Sequence, residues 1–173
     1  MFSDPINLLT MLGIWAGIFA ALYAVWQQNK IAKELACVQL FLQLTQQYDS
    51  DDMQRKRAAL ADALLANPKA VEIDDTVLTF FENLAHLRRR GLLEDEMTWN
   101  FFSVDVIFFH AAADHYIASM RTKFNAQDLF VEFENLSRAW RSKLYQSVAV
   151  NPTTTTEFLR WTARISRGDA KNS

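Results

Sequence analysis

The sequence predicts an all-α protein, with one N-terminal transmembrane helix continuing into a cytoplasmic helical bundle. Three observations carry this. The stretch from Leu8 to Trp26 runs for nineteen residues without a charge. Outside that stretch, the few glycines and prolines (Gly91, Gly168, Pro5, Pro68 and Pro152) fall where helical patterns start or stop. No alternating strand pattern, hairpin dipeptide or glycine-rich phosphate loop occurs.

A chain of 173 residues is long enough for one ordinary domain with a short appendage and too short for two independent cores. Its 50% hydrophobic and 22% charged residues suit a packed protein. A net charge of -2 argues against nucleic acid as a partner. Cys37 is the single cysteine, which excludes an internal disulfide and a multi-cysteine zinc site and fits a reducing compartment.

Within Leu8–Trp26 the only ordinary polar side chain is Thr10, and this length matches a hydrocarbon core about 30 Å thick. Leu8, Leu9, Leu12, Ile14, Ile18, Phe19, Leu22 and Val25 each favour insertion by roughly 0.3 to 0.6 kcal/mol. Tyr23 and Trp26 mark an aromatic interface before Gln27, Gln28, Asn29 and Lys30 meet water. A secretory signal would need a basic segment first, whereas "MFSDPIN" carries Asp4 and no base. A soluble core helix would need a larger body to bury it on all sides. Lys30 and Lys33 follow the run and no Lys or Arg precedes it, so the positive-inside bias puts the C-terminal body in the cytoplasm. On a helical projection Gly13, Gly17, Ala20 and Ala24 lie within about 60° of one another. This smooth face is expected to pack against another membrane helix or a second copy of the chain.

The expected domains are a tail and span at 1–29, a cytoplasmic bundle at 30–168 and a disordered tail at 169–173. No breaker separates Trp26 from Asp49, and Ile31, Leu35, Val38 and Leu42 repeat as a heptad-like seam. With Cys37, Phe41, Leu44 and Tyr48 as a second apolar line, this extension is expected to dock as a bundle helix. Ser50 is expected to cap a second helix, with Asp51 and Asp52 in its first turn and Asn67-Pro68 at its end. A third should begin near Asp74 or Asp75, bury Val77, Phe81 and Leu84, and stop before Gly91.

A central fourth helix, about Asp95 to Lys123, presents Phe102, Val106, Phe109, Ala113, Ile117 and Met120 on one face, and Phe101, Val104 and Phe108 on a second. Asn125 is expected to start a fifth, with Leu129, Phe133, Leu136, Trp140 and Leu144 inward. Thr154 and Glu157 form a capping-box pattern for a short last helix carrying Phe158, Leu159 and Trp161, closed by Gly168.

Chemistry-bearing residues are sparse. Glu82 precedes His86 by four, and His110 precedes Asp114 by four, so each pair shares a helix face. Ser103, His110, Asp114 and Arg121 form a polar stripe on the fourth helix. Were the third and fourth helices to face each other through these stripes, Glu82, His86, His110 and Asp114 could ligate a metal. The paired Glu-x-x-His elements of carboxylate-bridged di-metal bundles are absent, so mutual hydrogen bonding in a buried polar cluster is the preferred reading; no metal and no cofactor is expected. Arg88, Arg89 and Arg90 close the third helix, where they compensate its dipole or contact anionic lipid or an acidic partner. No serine or cysteine sits in a recognisable nucleophile setting.

The stretch "FFENLAHLRRRGLLEDEMTWNFF", Phe80 to Phe102, with the preceding span and "QQNKIAKE", resembles a bacterial family of small, single-span, all-helical proteins known only as a domain of unknown function. The resemblance covers the span to about Trp140 and implies a bacterial membrane location and a helical body. It implies no activity, and Glu82 matches a family-like glutamate without a role. The expected function is therefore a membrane-anchored interaction or scaffold protein of the bacterial inner membrane, accessory to another membrane protein. The rival classes are an enzyme using a metal or small ligand between the third and fourth helices, and a receptor whose bundle rearranges on binding.

Overall fold

Local signals at helix ends account for most of the element boundaries. The computed structural model describes residues 5–67, 72–144 and 149–166, with side chains for 14–67, 72–143 and 149–165. Among them every regular element is α-helical: α1 (Pro5–Asp49), α2 (Asp51–Ala66), α3 (Thr76–Arg89), α4 (Asp95–Phe124), α5 (Val131–Leu144) and α6 (Pro152–Ser166). The chain divides into two units, Met1–Leu40 and Phe41–Ser173.

The predicted caps at α2 and α3 have clear geometry. Ser50 is extended, and its hydroxyl accepts the Met53 N–H, satisfying one of the orphan donors of the α2 N-terminus. Gly91 is left-handed (φ 68°); its N–H reaches the Arg88 carbonyl and the Leu92 N–H reaches that of Leu87, the paired bonds of a Schellman motif.

Two other boundaries differ from expectation. Asn125 is left-handed and ends α4 with the same pair of bonds, to Thr122 and Arg121, rather than starting α5. The residues from Asn125 to Phe130 form turns in which Phe130 also takes a positive φ of 57° while its ring is buried. For a non-glycine residue this conformation costs roughly 1–2 kcal/mol, offset here by ring burial. The cap of α6 is Asn151, not Thr154: Asn151 Oδ1 accepts the Thr154 N–H and Thr154 Oγ1 accepts the Asn151 N–H, with Pro152 at the first helical position, where its missing N–H does no harm. Gly168, the 169–173 tail and the Leu144 side chain lie outside the described residues.

The core of the second unit is aromatic. Phe81, Phe102, Phe109 and Phe133 are fully buried. Tyr48 stacks on Phe80 at 5.2 Å and meets Phe102 edge-on at the same distance, each pair adding about 0.5–1.5 kcal/mol beyond area burial. On the inner face of α4, Phe102, Val106, Phe109, Ala113 and Ile117 are buried as expected, and Met120 at its end is half-buried. Its second line splits, since Phe108 stacks on Phe158 of α6 at 5.0 Å while Phe101 and Val104 are exposed. α5 packs on both α3 and α4, and α6 packs on both α2 and α4.

In the first unit, every side chain from Ile14 to Ala36 is exposed, including Ile14, Trp15, Ile18, Phe19, Leu22, Tyr23, Val25 and Trp26. Ile31, Leu35 and Val38 are exposed too, as is Leu42 at the start of the second unit. Of the second apolar line, Leu44 and Tyr48 are buried and Phe41 meets Phe102 at 6.2 Å. Among the described residues no helix is long and apolar enough to cross a membrane. The expected span draws on the side chains of Leu8 to Gly13, which lie outside the described residues, so the all-helical fold is established without its transmembrane part.

Candidate functional site

The four residues of the expected polar cluster take separate roles. Glu82 on α3 turns toward the start of α5, where its carboxylate accepts the Phe133 N–H at 2.7 Å and the Glu132 N–H at 3.2 Å. It thus caps a helix fifty residues away, supplying an anion where the α5 dipole is positive. His110 on α4 meets the Phe133 ring edge-on at 5.2 Å, and the same ring stacks on Phe81 at 5.3 Å. Phe133 therefore contacts both helices that were expected to face each other through polar stripes. His86 lies 3.5 Å from the Arg89 guanidinium through Nδ1, and Asp114 is exposed. Among the described residues no group of three His, Cys, Asp or Glu side chains is placed to hold a metal ion.

Burial lowers the His110 pKa below that of a free imidazole, with Asp114 and Glu134 acting in the opposite direction. Glu134 is held low first by its hydrogen bond from Arg121, which lies 2.8 Å away. Arg121 also donates through Nε to the Leu129 carbonyl at 2.9 Å, tying the end of α4 to the turn before α5.

Of the arginine triplet, Arg88 pairs with Asp95 at 2.8 Å and lies 5.8 Å from the centre of the Trp140 ring. Arg89 pairs with Glu132 at 3.1 Å, and Arg90 provides the α3 C-cap backbone and is exposed. The triplet thus joins α3 to its neighbours through two of its members.

Two features escaped the sequence reading. Asp105 is a lone acid inside the apolar run "FFSVDVIFF", and burial raises its carboxyl above the usual range. The Tyr48 hydroxyl is raised as well, by burial first and then by the Asp105 charge, while the Arg57 guanidinium covers the Tyr48 ring at 4.0 Å. An acid within an otherwise apolar helix face was the available signal.

The second feature is a cavity of about 530 Å³ among α2, α4, α5 and α6, within the size range of small-molecule sites. Leu64, Ala111, Ala112 and Leu159 form apolar wall, and Arg141 and Arg160 bring positive charge. The alanine run from Ala111 to Ala113, which leaves room beside α4, was its sequence trace.

The expected membrane face is described only in part. A Cβ added at Gly17 would meet nothing within 4 Å, Ala20 and Ala24 are exposed, and Gly13 lies outside the described side chains. Tyr23 accepts a hydrogen bond from Gln27 at 2.8 Å and lies 6.0 Å from the Trp26 ring. Lys30 pairs with Glu34 at 3.9 Å, and Lys33 is exposed.

Residues 11–140 match the family described as Domain of unknown function (DUF4760), and the chain belongs to that family. No curated protein and no solved structure matches it.

Proposed function

We propose that this DUF4760 protein is a membrane-anchored helical interaction protein, accessory to another protein of the bacterial inner membrane, with its second unit in the cytoplasm. The observation that carries this reading is the charge-free course of α1 from Pro5 to Asn29, with every described side chain there exposed. An apolar surface of this kind marks a membrane or a protein contact. Lipid covers all sides of such a helix at once, whereas a single protein partner covers one. The nineteen residues from Leu8 to Trp26 then cross the hydrocarbon, Tyr23 and Trp26 lie at its edge, and Lys30 and Lys33 set the sidedness. Arg89 and Arg90, the exposed members of the triplet, are the ones available to anionic headgroups or an acidic partner.

The test is fractionation of the untagged full chain. Retention in membranes after an alkaline carbonate wash, with the second unit protected from protease added to intact cells, is expected. Recovery in the aqueous fraction without aggregation overturns anchoring, and digestion from outside reverses the topology.

The cavity favours a second reading, in which the bundle binds a small amphipathic anion between α2 and α6, with Arg141 and Arg160 facing its head and Leu64 and Leu159 its apolar part. Calorimetric titration with octanoate tests it. Saturable binding weakened tenfold or more by Arg141→Ala supports the site; no heat with either protein removes it.

A further inference from the structure

We propose that Gln28, Ile31, Leu35, Val38 and Leu42 form the seam of a parallel coiled coil between copies of this chain. The inference rests on the anchoring reading for its parallel sense and names the partner that reading leaves open.

The first support is an apolar stripe that lies exposed. Ile31, Leu35, Val38 and Leu42 are 59%, 56%, 42% and 52% exposed. Lys33, Glu34 and Gln39 lie between them on other faces of the helix, together with Ala32, Ala36, Cys37, Leu40 and Phe41. A helix that keeps four branched apolar side chains exposed along one line presents a binding face.

The second is the period. Gly17, Ala24, Ile31 and Val38 recur every seven residues, and so do Ala21, Gln28, Leu35 and Leu42. These two ladders are the d and a positions of one heptad register. From Gly17 through Ala21 to Ala24 the ladder residues are small, which suits close backbone approach in lipid. From Ile31 to Leu42 they are large and apolar, which suits knobs-into-holes packing in water. One helix lying alongside α1 would meet both kinds of surface in the same order. An identical, parallel neighbour satisfies this by symmetry, because equal depth in the membrane brings small residues against small and branched against branched.

The third is the flanking charge. In a parallel, in-register assembly each g position faces the e position five residues on in its neighbour, which pairs Gln27 with Ala32 and Glu34 with Gln39. No like charges meet. Lys30 and Lys33 fall at c and f, away from the seam, and Lys30 is engaged by Glu34 within its own helix. Gln28 is a polar group at an a position, the kind of residue that holds strands in one alignment. Leu at a with Ile or Val at d favours more than two strands, so about three or four copies are expected. Two heptads associate weakly when free; tethering in one membrane raises their effective concentration.

The experiment uses the full chain in native membranes, in a Cys37→Ser background carrying Leu35→Cys, Val38→Cys or Lys33→Cys, under mild oxidation. Cross-linking at positions 35 and 38 at least fivefold above position 33 is expected. In mild detergent, light scattering should give three or four chain masses, falling to one for the Leu35→Asp, Val38→Asp double variant with unchanged helical content. Equal cross-linking at all three positions, a single chain mass in detergent, or a cross-linked product that is not a multiple of this chain overturns the coiled coil. Carbonate fractionation of the same samples separates the two ideas. A membrane-retained chain without seam cross-links removes the coiled coil alone, and seam cross-links in an aqueous chain remove the anchor alone.

Discussion

The Glu82 carboxylate accepts the Phe133 backbone N–H at 2.7 Å across fifty-one residues of chain. It also takes the Glu132 N–H, so the first turn of α5 is completed by a side chain of α3 and not by a local cap. Two orphan donors depend on one carboxylate, and that sets the direction of the first prediction.

Glu82→Ala should lower stability by about 1–3 kcal/mol, because it leaves two N–H groups of a helix start without their acceptor. Glu82→Gln, whose amide oxygen can still accept, should lose less. Urea denaturation followed by circular dichroism in a fixed detergent measures both, and equal stability of all three proteins would remove the capping role.

Arg121 bridges the Leu129 carbonyl and the Glu134 carboxylate. Arg121→Met should cost about 1–3 kcal/mol at neutral pH, as expected for charge-assisted hydrogen bonds lost from a partly buried site. Because Arg121 holds the Glu134 carboxyl below its usual value, its contribution is full above the unfolded carboxylate pKa and fades as pH falls through the folded one. The variant should therefore lose a step on the acid limb of the stability profile, and an unchanged limb would count against this pairing.

His110 is titrated in the opposite sense to a paired histidine. Burial lowers its folded pKa, so below the unfolded value the unfolded chain binds the extra proton and stability falls with pH. His110→Phe should flatten the profile between about pH 5 and 7, where an ordinary imidazole titrates, while preserving the ring contact with Phe133. A profile as steep as that of the parent would show that other groups govern it.

Asp105 carries a carboxyl raised chiefly by burial, with Tyr48 and Arg57 acting to lower it. For a raised carboxyl the folded state holds its proton longer, so stability is greatest below the unfolded pKa and declines as pH rises through the folded one. Asp105→Asn should remove that decline and raise the urea midpoint at pH 8 relative to the parent. A lower midpoint at pH 8 would mean that the charge beside Arg57 stabilises the fold.

What the sequence determined by itself was whatever acts within one or two turns of helix. Ser50 caps α2 because its hydroxyl meets an N–H three residues on; Gly91 ends α3 because a left-handed residue is needed there; and Phe102, Val106 and Phe109 turn inward because helical periodicity aligns them. Tertiary structure decided what depends on partners distant in the chain. Local signs at Asn125 could not reveal that α5 waits for a cap from Glu82. Spacing alone could not foresee that Phe133 would lie against Phe81 and His110, with Glu82 capping α5 and Asp114 exposed. Nor could periodicity, which reports that a face is apolar, say that Phe108 would lie against Phe158 while Phe101 and Val104 stay exposed. That choice depends on which surfaces the rest of the fold has already consumed, and only the packed structure contains it.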